Sequence, residues 1–196
     1  MSMSDPSEQG VPAGILTVCI GNMCRSPLAE RLLRLHLADA VATGVVRVDS
    51  AGVRPVVGHA MEENAAAELV RLGGDPTGFA ARRVEPDLVL EATLVLAMTR
   101  EIRADVLREQ PRAMRRTFTL PEFAEICRGL AREGVVASSV AELVATAARR
   151  RALAAEIDQD IPDPIGRPAA VHREVADRIA ADIDAVVAAL HASTQV

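Results

Sequence analysis

Residues Ile15-Leu16-Thr17-Val18 form a run with no turn former, and they lead straight into Cys19-Ile-Gly-Asn-Met-Cys-Arg-Ser26. Leucines at helical spacing, Leu28, Leu32 and Leu35, begin immediately afterwards. The run reads as a buried parallel strand that ends where Cys19 begins, and the repeat after the loop reads as a helix. The eight residues between them must therefore lie over a helix N-terminus at the carboxyl end of a strand. Backbone amides there point at a common centre, and the helix macrodipole adds positive potential, so an anion is expected.

The residue types in the loop fit that expectation. Arg25 offers a planar fork of donors matched to two phosphoryl oxygens. Gly21 is expected to take a backbone conformation that a side chain forbids, and Asn22 tolerates left-handed geometry while its amide locks the loop. Ser26 is expected as the helix N-cap, with Pro27 at the first helical position. Cys19 sits in the same field, which favours the nucleophilic thiolate; the alternative is a small buried core residue.

Strand-like stretches recur at Val45–Asp49, Leu94–Met98 and Thr117–Leu120. Helical stretches recur at Met61–Leu72, Thr99–Glu109, Pro121–Leu130, Val140–Ile157 and Ala169–Leu190. Gly73-Gly74 is placed to end the first of these and Ser139 to cap the fourth. The alternation predicts an α/β fold: a four-stranded parallel sheet with helices on both faces and the phosphate-binding loop after the first strand. Residues 1–12 are rich in Ser, Pro, Gly and acids and are expected to form a disordered arm. Residues 13–196 then make one domain, with a helical surface insertion at about 131–157.

A thiolate displaces an alkoxide from phosphorus efficiently only if the leaving oxygen is protonated. Ile161-Pro162-Asp163-Pro164 supplies a carboxyl group between two prolines that hold it extended. Asp163 is the candidate general acid, and afterwards the base that activates water. Asp158 and Asp160 are rivals without the proline clamp.

Composition narrows the function classes. Every one of the 22 basic residues is arginine, and 27 acidic residues leave a net charge of −5, which argues against a nucleic-acid partner that needs a dense basic face. Asp5 and Glu8 interrupt the stretch where a signal peptide needs an apolar core, and no run is long enough to span a bilayer, so a cytoplasmic protein without membrane partners is expected. Cys19, Cys24 and Cys127 cannot all pair, and Cys-x4-Cys lacks companion ligands in sequence, so no metal or other cofactor is expected. His36, His59, His172 and His191 are scattered and are expected on surfaces or helix faces rather than as ligands.

Taken in this order, the Cys19–Pro27 segment and the Asp163-Pro164 pair resemble the low-molecular-weight protein tyrosine phosphatases. Val48-Asp49-Ser50-Ala51-Gly52, Ala81-Arg82-Arg83 and Val95-Leu96-Ala97-Met98 are similar as well. The resemblance implies a phosphorylated protein substrate and a cysteinyl-phosphate intermediate, with Cys19 as nucleophile, Arg25 as phosphate clamp and Asp163 as general acid. It implies that Ile20, Gly21, Asn22, Met23, Cys24, Arg25 and Ser26 cradle the phosphate, and that Asn22, Ser26 and Ser50 shape the loop or lower the thiol pKa. Cys24 resembles the family's second loop cysteine, which can protect an oxidised nucleophile as a reversible disulfide. Cys127 matches no family position and is expected in the core.

The chain departs from that pattern at the substrate mouth. Ile165-Gly166 and Val53-Arg54 stand where aromatic walls are usual, and Phe79 stands where many relatives have a histidine. Other readings of the loop are a thioredoxin-linked arsenate reductase, a protein arginine phosphatase, in which threonine tends to occupy the Met23 position, and a non-catalytic phosphate-binding module.

Overall fold

A computed structural model describes residues 12–194, so the expected arm at 1–12 falls, apart from Pro12, outside the described residues. Four strands form one sheet: β1 (Ala13–Cys19), β2 (Val46–Gly52), β3 (Leu94–Ala97) and β4 (Thr117–Thr119). Their order is β2-β1-β3-β4, and every pairing is parallel, with Thr17 opposite both Ser50 and Leu96. Six of the seven β1 residues and all of β3 are buried, and a strand buried at successive positions must be covered on both faces. Helices provide that cover, which bears out the α/β reading.

The helices are α1 (Arg25–His36), α2 (Ala38–Ala42), α3 (Glu63–Arg71), α4 (Pro86–Glu91), α5 (Arg100–Glu109), α6 (Leu120–Arg132), α7 (Val140–Arg149) and α8 (Ala169–Thr194). Short 3-10 turns occupy Pro111–Arg116 and Arg151–Ala154. With aromatic residues at only 2%, the core is aliphatic apart from Phe118 and Phe123, whose rings lie 5.0 Å apart. Cys127 is buried within it, as expected.

The stretch expected as one helix from Val140 to Ile157 breaks at Arg149, then makes the 3-10 turn. Ser139 does cap α7, accepting from the Glu142 amide at 3.2 Å. Nor does this stretch lie loosely on the surface: Val140, Leu143, Val144, Ala147 and Ala154 are buried in the common core. Arg151 fastens it, pairing with buried Glu122 at 2.6 Å, donating to the carbonyls of Thr117 and Met114, and stacking over Phe118.

From β1 the chain steps to β2 on one side, and later to β3 on the other. The carboxyl ends of β1 and β3 therefore flank the point where connections diverge, where parallel sheets bind ligands. Ile161 reaches the same place, its amide bonding the Met98 carbonyl just beyond β3 at 2.9 Å.

Candidate active site

Cys19 ends β1 and its side chain is buried. Two donors point at its sulfur: the Asn22 amide at 3.1 Å and Ser26 Oγ at 2.9 Å. Ser26 therefore does not cap the helix as expected. It lies within α1, whose N-cap position is Cys24 and makes no side-chain capping bond. Pro27 follows as the third helical residue, where a missing amide hydrogen still costs nothing. Thus, among the described residues, the Arg25 and Ser26 amides at the helix start have no acceptor, as an anion-binding helix start requires.

Among the described residues Asn22 is the non-glycine residue with positive φ, at 52°, and its buried side chain is the hub of the loop. Its Nδ2 donates to Ser26 Oγ at 3.0 Å and to Ser50 Oγ at 2.9 Å, while its Oδ1 accepts from the Arg82 amide at 2.8 Å. Ser50 Oγ in turn donates to Glu30 Oε2 at 2.6 Å. Glu30 is buried on α1 and salt-bridged to Arg34 at 3.3 Å. The sequence marked Asn22, Ser26 and Ser50, but Glu30 was missed because it reads as an ordinary helix acid. Thr17, also missed, ties strand to helix by donating to the Ser26 carbonyl at 2.9 Å.

The expectation for Gly21 is corrected: its φ is not positive, and a Cβ there would meet nothing within 4 Å. The glycine that the loop needs is Gly52, at the end of β2. A Cβ there would stand 2.6 Å from the Ile20 carbonyl oxygen and 3.0 Å from the Asn22 amide. The chain then continues alongside the loop, with the Val53 and Arg54 amides bonding the Cys19 and Ile20 carbonyls. The Glu62 amide closes the turn on the Met23 carbonyl at 2.9 Å.

Arg25 is 2% exposed, and its guanidinium joins the loop to the Pro-Asp-Pro segment. Nη1 donates to the Ile161 carbonyl at 2.9 Å, Nη2 is ion-paired with Asp163 Oδ2, and buried Nε has no partner among the described residues. Of the sequence-predicted residues, the fold thus brings together Cys19, Asn22, Arg25, Ser26, Ser50 and Asp163. The rivals are engaged elsewhere: Asp160 pairs with Arg100 and accepts from its amide, and Asp158 pairs with Arg178.

Cys24 is buried beside Cys19, and both are free thiols. Burial, reinforced by the Glu62 carboxylate, pushes the Cys24 thiol up to about 12. His172 lies on a helix, as expected, but on a face that is buried, beside Cys24 and Glu62.

The profile of the low molecular weight phosphotyrosine protein phosphatases matches residues 14–133, more than half of the sequence. The chain belongs to that family. Within the family's curated members it is 33% identical over 106 residues to the protein-tyrosine-phosphatase Ptp of Acinetobacter johnsonii, covering 54% of this chain and 70% of that one. It is 36% identical over 111 residues to Etp of Escherichia coli K12, covering 57% and 71%. A similarity of greater length, 29% over 174 residues, joins it to a protein-arginine-phosphatase of Geobacillus stearothermophilus, covering 89% of this chain and 93% of that one. The solved YwlE arginine phosphatase from Geobacillus stearothermophilus superposes with a TM-score of 0.66 at 28% identity, over 90% of this chain and 92% of that one. Erwinia amylovora AmsI shares the fold with a TM-score of 0.67 at 22% identity, over 93% and 96%. The profile match stops short of Asp163, so that residue's place rests on the geometry given above.

Proposed function

We propose that this chain hydrolyses phosphomonoesters on phosphotyrosine-bearing proteins through a cysteinyl-phosphate. The observation that carries the reading is the meeting of Cys19, held by two donors to sulfur, with a buried arginine whose Nε has no protein partner, at an uncapped helix start. The loop amides and Arg25 hold the phosphoryl oxygens while the Cys19 sulfur attacks phosphorus. Asp163, reached by Arg25, passes a proton to the departing phenolic oxygen. The resulting carboxylate takes a proton from water as its oxygen bonds to phosphorus and the phosphorus–sulfur bond breaks, and Ser26 Oγ stabilises the sulfur as it leaves. Three free cysteines fit a reducing compartment, which supports a cytoplasmic location. Among the described residues no helix is long and apolar enough to cross a membrane.

Rapid quenching with a phosphotyrosine peptide tests this. A burst of dephosphorylated peptide and a covalent phosphoprotein labile in mild acid are expected, and Cys19→Ser should lose turnover while still binding vanadate. Unimpaired turnover in Cys19→Ser overturns the mechanism.

Phosphoarginine is the second reading. It is favoured by the extent of similarity to the Geobacillus arginine phosphatases and by the weak aryl walls, where Ile165 is 49% exposed and followed by Gly166 at φ 68°. Met23, in place of a polar side chain on the loop, favours the phenolic ester instead. Comparing kcat/KM for phosphotyrosine, phosphoarginine and phosphoserine peptides decides between them.

A further inference from the structure

One group of side chains beside the loop takes no part in the chemistry above. His172, in the first turn of α8, is almost wholly buried, and neither ring nitrogen has a hydrogen-bond partner among the described residues. Its Nδ1 lies 3.3 Å from Glu62 Oε2, an ion-pair contact without hydrogen-bond geometry. Cys24 Sγ completes the group, and one ligand atom from each of Cys24, Glu62 and His172 lies within 4.8 Å of the other two. Buried imidazole nitrogens without partners are uncommon, because each gives up its hydration and gets nothing in return. A small cavity of about 10 Å³ adjoins them, lined by Cys24, Arg25 and His172 among mostly apolar side chains.

We propose that Cys24, Glu62 and His172 form a zinc-binding site at the back of the phosphate loop. The donor set is one sulfur, one nitrogen and one oxygen, which suits zinc and is wrong for magnesium or calcium, both of which prefer all-oxygen shells. Bonds of about 2.0–2.3 Å in a tetrahedron put ligand atoms roughly 3.3–3.7 Å apart, so small side-chain rotations suffice to close the group on an ion. Glu62 can serve without leaving its post: Oε2 accepts from the Ala65 amide to cap α3 at 2.9 Å and keeps a second lone pair. Its side chain is 19% exposed and provides the way in. On binding, the Cys24 S–H bond gives its proton to solvent as the sulfur–zinc bond forms, and the six-coordinate aquo ion sheds five waters and keeps one in the fourth position. No electrons are transferred. Occupancy ties the loop, α3 and α8 together and removes the Cys24 sulfur from exchange with Cys19.

The site was invisible along the chain because its residues lie at positions 24, 62 and 172, and no local spacing marks them. It does not depend on the phosphatase reading, and its test does not use turnover. The reduced full-length protein is dialysed against Zn²⁺, and in parallel titrated with Co²⁺ while the thiolate-to-cobalt absorption is followed. One ion per chain is expected in wild type and in Cys19→Ser, with the absorption lost in Cys24→Ser. Glu62→Gln and His172→Phe should weaken binding at least about 100-fold. Glu62→Gln keeps the α3 cap, so it stays informative should His172→Phe fail to fold, and circular dichroism checks each variant. Absence of tight binding in wild type overturns the proposal. So does binding that is lost in Cys19→Ser but kept in Glu62→Gln, since the ion would then sit on the nucleophile.

Discussion

Asp163 and Arg25 hold each other, and this pairing gives each side chain two tasks. In the proposed reaction a bound phosphate would compete for the guanidinium and free the carboxyl group to face the leaving oxygen. Asp163→Asn keeps the size and a polar contact but cannot donate a proton from a carboxyl group. Loss of general acid assistance is worth about 10²–10⁴-fold, and the loss shrinks as the leaving group improves. The variant should therefore suffer most on unactivated aryl phosphates and least on para-nitrophenyl phosphate, as a series of substituted phenols will measure; equal losses throughout would assign Asp163 a positional role. Cys19, Asn22 and Arg25 were legible because their spacing in the loop is itself the constraint, and Ser50 only through the resemblance of its segment to the family. Read from its neighbours alone Ser26 suggested a cap, because it precedes a proline, whereas it is buried against sulfur, in keeping with the loop-shaping role that the resemblance implied. Glu30 could not be read, because what makes it special is Ser50 on another element, 2.6 Å away.

At the scale of elements, the strand ends decide the site. Gly52 ends β2 where the phosphate loop packs across it, so Gly52→Ala forces apart either the Ile20 carbonyl or the Asn22 amide. Overpacking of this kind costs about 1–3 kcal/mol, and the displacement falls on the residue that holds Cys19. A lower melting temperature together with weaker vanadate binding is expected. Gly21→Ala, with open space around its Cβ, should melt like wild type, and differential scanning calorimetry of the pair compares them directly. The sequence pointed to the wrong one of these glycines because close approach between elements leaves no local trace. Strands and the main helices were legible from their apolar periods, while the break after Arg149 was not, because the alanines and arginines around it are strong helix formers and no Gly or Pro marks an end.

For the whole molecule, Arg151 shows how the 140–157 stretch is held to the body. Removing it leaves the Glu122 carboxylate, 4% exposed, with Arg103 as its remaining ion-pair partner, and two carbonyls lose their donor. Breaking a fully buried pair costs about 3–5 kcal/mol; with Arg151 itself 32% exposed the cost should be nearer about 1–3 kcal/mol. Arg151→Met should lower the denaturation midpoint by that amount, with kcat on a phosphotyrosine peptide little changed, and urea titration with parallel kinetics measures both. The fold was legible at this scale because alternating strands and helices leave few ways to bury both faces of a sheet. What joined the far parts of the chain was not, since Ile161 meets Met98 only after folding. That backbone bond also bears on speed. Its residue is wholly buried, it carries Arg25 on its carbonyl, and beyond it the Asp163 carboxylate accepts from the Ile165 amide at 3.2 Å. The acid thus stands on a braced pier rather than a swinging gate, and turnover has no large excursion through solvent to wait for. Sucrose should leave kcat unchanged as it thickens the medium, whereas an enzyme that must sweep a lid through liquid slows with the drag.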